Sequence, residues 1–207
     1  MKKALIYTTI FSLTLISIAI TGSPIMARTP NWTNNAKFSR GVGNTCYWIH
    51  SSASAYTGDI DYSANKWMYT GWDNPIYMTK VTSNYATHMD FYVKTPTQDA
   101  EMYNNILAYT SFWDGNGKRV NKKDKGPTYN YFYTEIRINK NNFPTKWRKK
   151  VMIHEQGHAF GLSHSSNKSS IMYPQIDVST VNTVQKVDND TINYLLENYI
   201  PNFRLSA

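Results

Sequence analysis

The chain has 207 residues, a length that fits one domain with a substantial core and a targeting segment. Its formal net charge of +8 favours anionic surroundings such as cell-wall polymers, and no nucleic-acid-binding motif accompanies that charge. Because Cys46 is the only cysteine, an intrachain disulfide is excluded, and the fold must be held by its core or by a metal.

Residues 1–27 have the pattern of a secretory signal peptide. Two lysines follow the first methionine, an apolar run comes next, and Ala27 offers a small residue for cleavage. The run is short and is interrupted by serines and threonines, so we expect export of a bacterial protein and no stable insertion in a membrane. Residues 28–45 are polar and are interpreted as an N-terminal extension or a short pro-segment.

The remaining residues, 46–207, predict one domain that contains both strands and helices. Alternation of apolar and polar side chains predicts strands over residues 46–52, 76–82, 87–95, 105–117 (ending in a Gly-rich turn) and 129–141. In the last of these strands, the residues expected to face the core are Phe132, Thr134, Ile136 and Ile138.

Three helices are predicted from apolar residues that share one face. Asp59 is expected to cap the first helix, whose apolar face consists of Ile60, Ala64, Trp67 and Met68. The second helix begins after Pro144 and must end at Gly161. Asp188 is expected to cap the closing helix, whose apolar stripe consists of Ile192, Leu195, Leu196 and Tyr199.

Three of the five histidines lie within the eleven-residue stretch HEQGHAFGLSH. On a helix, His154 and His158 lie one above the other, and zinc binds neutral imidazole nitrogens at about 2.0–2.1 Å. Gly161 can adopt a positive φ, which ends the helix and lets His164 approach the same point from below. Three histidine ligands leave the fourth tetrahedral corner open, which indicates one catalytic Zn²⁺ ion.

Glu155 directly follows the first of these histidines, so its carboxylate lies beside the metal without being a ligand. A carboxylate in that position can take a proton from a water on the metal and hand it to a leaving amine. A purely structural zinc site needs no such base. Gly157 lies away from the metal face of the helix, and we interpret it as a point of close packing against the sheet.

The spacing H-E-x-x-H-x-x-G-x-x-H, followed by Met172 in SSIMYP, resembles the metzincins and most of all their matrixin branch, the family of the matrix metalloproteases. About 150 residues from Cys46 onward can be aligned with the family, although only residues 154–174 are highly specific. The resemblance implies an α+β fold with a twisted, mostly parallel sheet, an antiparallel edge strand and a small irregular lower subdomain from about residue 165. It also implies zinc endopeptidase activity, with Met172 as a structural floor under the zinc.

The resemblance further implies where a peptide substrate lies. The segment LAYTSF is similar to the family's substrate-edge strand, and the implied substrate contacts are Ile106, Leu107, Ala108, Tyr109 and Pro174. Ile176 departs from the family pattern at the S1′ pocket, so the substrate preference is not carried over. Residues 95–133 contain no histidine, which argues against a second zinc, and Lys118 in DGNGK argues against calcium.

The sequence therefore predicts a secreted, monomeric zinc endopeptidase that acts on protein or peptide substrates. Two alternatives stay open. One is a zinc-dependent peptide-binding or adhesion module that holds a peptide without cutting it, although an intact Glu155 weighs against it. The other is a dedicated processing protease with one partner substrate, which the sequence does not separate from an enzyme of broad range.

Overall fold

The computed structural model describes residues 30–32, 35–102, 105–121 and 126–197. Its five strands are β1 (Thr45–Ile49), β2 (Met78–Val81), β3 (Met89–Lys94), β4 (Ala108–Trp113) and β5 (Tyr133–Asn139). They form one sheet in the order β2–β1–β3–β5–β4, in which every neighbouring pair is parallel except the antiparallel pair of β4 and β5. The prediction of a mostly parallel sheet with an antiparallel edge strand is confirmed.

The described residues also form three α-helices, α1 (Thr57–Met68), α2 (Arg148–Ala159) and α3 (Lys186–Glu197). None of the helices in this part of the chain has the length and apolar character needed to cross a membrane. The predicted signal peptide lies outside the described residues, and so does Tyr199, which was assigned to the stripe of the closing helix.

Both predicted helix caps were placed too late in the chain. A 3-10 helix over Ser51–Tyr56 replaces the end of the predicted first strand and leads directly into α1, so Asp59 lies in the first helical turn. Helix α3 begins before Asp188, whose carboxylate accepts a hydrogen bond of 3.0 Å from the main-chain N–H of Gln185. Both carboxylates still act favourably, because a negative charge in the first turn complements the helix dipole.

The main core lies between the sheet and the two helices α1 and α2. Phe91 and Ile136 of the central strands are fully buried, as are Trp67 of α1 and Ile153 of α2. The indole N–H of Trp67 donates a hydrogen bond of 2.9 Å to the main-chain oxygen of Ile153. This bond satisfies the buried indole and fixes the position of α2, which carries the histidine motif, against α1.

The inward face of β5 was predicted correctly except at one end. Thr134, Ile136 and Ile138 are buried, as the alternation indicated. Phe132 was expected to join them but is 42% exposed. The prediction was wrong because β5 begins at Tyr133, so the pleat that turns alternate side chains inward does not extend to Phe132.

Residues before β1 contribute to the packing. Ala36, Phe38 and Val42 are buried, and Phe38 forms a parallel bridge with Tyr131. The Phe38 ring belongs to a second, smaller apolar cluster beside the end of β4. This stretch lies within the segment that the sequence marked as an extension or a pro-segment.

Candidate active site

The three predicted metal ligands lie together where α2 ends. His154 and His158 are buried on α2, and His164 follows in the loop and is exposed. One nitrogen from each imidazole lies within 4.8 Å of the others, and the Nε2 atoms of His158 and His164 are 3.2 Å apart. Two ligands of a tetrahedral zinc at 2.0–2.1 Å stand about 3.3 Å apart, so this spacing fits zinc.

Main-chain oxygens orient the two helical imidazoles. The Nδ1 atom of His154 lies 2.8 Å from the oxygen of Ile171, and that of His158 lies 2.8 Å from the oxygen of Leu162. Because a carbonyl oxygen only accepts, both Nδ1 atoms carry the hydrogen and both Nε2 atoms keep a lone pair for a metal. Burial lowers the pKa of His154 to about 3 and the pKa of His158 well below its ordinary value, so both rings are neutral at pH 7.

The turn after α2 brings the third histidine back to this point. Gly161 has a φ of +113°, which confirms the predicted positive φ. Its N–H donates to the oxygen of His158 at 3.0 Å, and the N–H of Leu162 donates to the oxygen of Gly157 at 3.0 Å. The second bond spans five residues and closes a Schellman-type end, in which glycine avoids the strain of a side chain.

Both neighbours of His164 are fixed through the main chain. The N–H of Ser163 donates to the oxygen of Pro30 at 2.8 Å, and the N–H of Ser165 donates to the oxygen of Met172 at 2.9 Å. The exposed ligand is therefore held between an N-terminal segment on one side and the methionine turn on the other.

The methionine turn packs against α2. Met172 is fully buried, and a Cβ added at Gly157 would overlap its Sδ atom and lie 2.9 Å from Cζ2 of Trp67. Gly157 was interpreted as packing against the sheet. It packs instead against Met172 and α1, because its side of α2 faces away from the strands.

A buried carboxylate of α3 holds the same turn. Asp188 accepts hydrogen bonds from Oγ of Ser170 at 2.6 Å and from the N–H of Ile171 at 3.1 Å. Since the oxygen of Ile171 orients His154, the position of this ligand depends on α3 as well as on its own helix.

Glu155 lies beside the ligands and is buried. Burial raises its pKa to about 7, although a hydrogen bond from Thr110 opposes that rise. The Thr110 hydroxyl is 2.8 Å from Oε2 of Glu155 and 2.9 Å from its main-chain oxygen, so its single hydrogen is shared between two acceptors. Thr110 was not predicted as a site residue, although its hydroxyl alternates with the side chains of Ala108 and Phe112 on β4.

A cleft of about 610 Å³ runs past the three histidines and Glu155. Its lining includes every residue predicted to contact the substrate, namely Ile106, Leu107, Ala108, Tyr109 and Pro174. The phenol of Tyr109 has other partners. It donates to Oδ2 of Asp99 at 2.5 Å and accepts from Arg137 at 3.1 Å, on the sheet face opposite to Thr110. Trp32 also lines the cleft, and no local pattern marked it.

The two remaining histidines have structural partners away from the cleft. Nδ1 of His88 accepts the main-chain N–H of Cys46 at 2.9 Å, and Nδ1 of His50 accepts that of Ser52 at 3.0 Å. Neither belongs to the histidine cluster found among the described residues.

Comparison with known proteins agrees with this geometry. Residues 49–199 match the family model described as Matrixin. The chain belongs to the matrixin family. A stretch of 42 residues is 48% identical to a protein of Trichoplusia ni ascovirus 2c named "Putative matrix metalloproteinase", and it covers 18% of this chain and 8% of the viral protein. The predicted family and fold are confirmed.

In this matrixin, Gly157→Ala is expected to lower the free energy of unfolding of the metal-free protein by about 1–3 kcal/mol, because the added methyl overpacks the contact with Met172 and Trp67. Urea unfolding measures the change. The control is Gly58→Ala on α1, where an added Cβ meets no atom within 4 Å and improved helix propensity should stabilise by up to about 1 kcal/mol. Equal stabilities of Gly157→Ala and the wild type would contradict the packing described for Gly157.

Proposed function

We propose that this matrixin is an exported zinc-dependent endopeptidase. The observation that carries the proposal is a group of three histidines and one glutamate in an open cleft. Three imidazoles converge, two of them with Nε2 lone pairs fixed by Nδ1 hydrogen bonds, and a buried carboxylate lies beside them. The donor set of three neutral histidines suits zinc and leaves room for a water or a substrate atom.

The chain's own residues divide the chemistry. A zinc ion bound by His154, His158 and His164 would supply Lewis acidity that activates a water molecule and polarises the scissile carbonyl. Glu155 takes the proton from the attacking water and delivers it to the departing amine. A carboxyl group whose pKa is raised to about 7 by burial can do both near neutral pH. Thr110 holds one oxygen of this carboxyl in place.

The direction of main-chain groups on β4 supports substrate binding by strand addition. The N–H of Phe112 donates to Oδ1 of Asn121 at 2.9 Å, and its oxygen accepts the N–H of Val120 at 2.9 Å, so both groups point away from β5. Since this direction alternates along an antiparallel strand, Ala108 and Thr110 also turn their N–H and C=O outward, beside the cleft. An extended peptide lying antiparallel to β4 would bond to these groups.

Export is supported only by the pattern of residues 1–27. N-terminal sequencing of secreted protein is expected to begin at or near Arg28. A secreted protein that still begins at Met1 would contradict cleavage.

Glu155→Ala is expected to keep about one zinc per chain and to lose at least ~10²-fold in kcat, the usual scale for removing a general base. Peptide-library cleavage and metal analysis measure the two quantities. The control is Glu197→Ala at the exposed end of α3, which should cleave like the wild type.

A chelator should abolish cleavage, and added zinc should restore it. A zinc-loaded wild type that cleaves no peptide would favour the binding-module alternative.

Proline substitutions on β4 test the substrate position. Ala108→Pro removes an outward N–H and should leave the sheet folded while lowering kcat/KM by about 5-fold or more, the value of one hydrogen bond near 1 kcal/mol. Tyr109→Pro removes an N–H that faces β5 and also the phenol bonded to Asp99, so it should unfold the sheet. Circular dichroism and kinetics compare the two. Normal cleavage by a folded Ala108→Pro variant would place the substrate elsewhere.

A further inference from the structure

An N-terminal segment pairs with the loop that carries the third ligand. The oxygen of Pro30 accepts the N–H of Ser163 at 2.8 Å, and the N–H of Trp32 donates to the oxygen of Gly161 at 3.2 Å. The residue between them forms an antiparallel bridge with Leu162. Residues 30–32 thus lie as a short strand along the turn between the second and third histidines.

Trp32 makes two contacts with one ligand. Its indole stacks on the imidazole of His158, with ring centres 5.0 Å apart and planes inclined by 29°. Its indole N–H donates a hydrogen bond of 3.1 Å to the main-chain oxygen of the same residue. The Nδ1 bond to Leu162 holds one edge of this imidazole, and the stacked indole covers one of its faces. Both contacts restrict rotation of the imidazole ring.

The position of the indole is itself built by neighbours. Phe112 meets it edge to face, with ring centres 5.6 Å apart. A Cβ added at Gly126 would overlap the six-membered ring of Trp32, so the glycine leaves the space that the indole occupies. The ring is therefore enclosed between His158 and these two residues, and it is not a loosely placed surface side chain.

We propose that Trp32 is a positioning residue for the metal ligand His158, and that residues 30–32 form part of the metal site. The proposal rests on the zinc-dependent function proposed above. Residues that orient a ligand from behind usually change metal affinity by about 10–100-fold when they are replaced. The indole contacts the ligand in two ways, by stacking through its ring face and by the hydrogen bond of its N–H. Substitutions can remove these two contacts separately.

The test measures the rate at which zinc-loaded protein releases zinc to a chromophoric chelator. Trp32→Leu should release zinc at least ~10-fold faster than the wild type. Trp32→Phe keeps an aromatic face and loses the N–H donor, so its rate should lie between the two. The control is Trp72→Leu, which replaces an indole that is 41% exposed and outside the cleft, and it should release zinc at the wild-type rate.

Gly126→Ala provides a variant that leaves Trp32 itself unchanged. It should speed zinc release by displacing the indole, and it should add little in the Trp32→Leu background, because the two changes act on one contact. This variant and Trp32→Phe decide the question if Trp32→Leu does not fold.

A role in packing alone predicts a different result. It would lower the unfolding free energy of metal-free and zinc-loaded protein equally and leave every zinc-release rate at the wild-type value, which overturns the role of Trp32. That outcome leaves the proposed function intact, provided that the wild type holds about one zinc per chain. A wild type that binds no zinc overturns both proposals.

Discussion

Two hydrogen bonds from imidazole N–H groups to main-chain oxygens set the chemistry of the cleft. They keep the ring hydrogen of His154 and His158 on Nδ1, so that both Nε2 lone pairs are directed to one point. The acceptors belong to Ile171 and Leu162, which lie in the chain that follows α2. The ligand set therefore depends on the path of that chain as much as on the helix that carries the histidines.

That path is fixed from both ends. Gly161 turns the chain at a positive φ that other residues rarely adopt, and Asp188 of α3 holds the turn that includes Ile171. Between them, Gly157 lets Met172 pack directly against α2. Removing a buried carboxylate or filling a glycine contact would act on the metal site without touching a ligand, since an interior packed at high density transmits such displacements.

The metal ligands and Glu155 could be predicted because their arrangement is local. A spacing of four residues on a helix and one glycine after it specify the geometry, with no need to know the rest of the fold. The mostly parallel sheet and the edge position of β4 came from the family resemblance, whereas the order of the strands within the sheet was seen only in the structure. The missed details depend on tertiary structure, because Phe132 falls outside a strand whose start the alternation did not define, and Thr110 matters only once β4 lies against Glu155.

The N-terminal segment shows why polarity alone misleads. Residues 28–45 have no apolar period, since the buried Ala36, Phe38 and Val42 are packed by an irregular chain and not by a helix or strand face. Their burial depends on shape. Gly126 leaves room for the indole of Trp32, which lies about a hundred residues earlier in the chain. That indole covers His158, which lies about thirty residues after Gly126. Such complementarity has no periodicity in sequence, so the extent of the metal site toward the N-terminus could be found only from the fold.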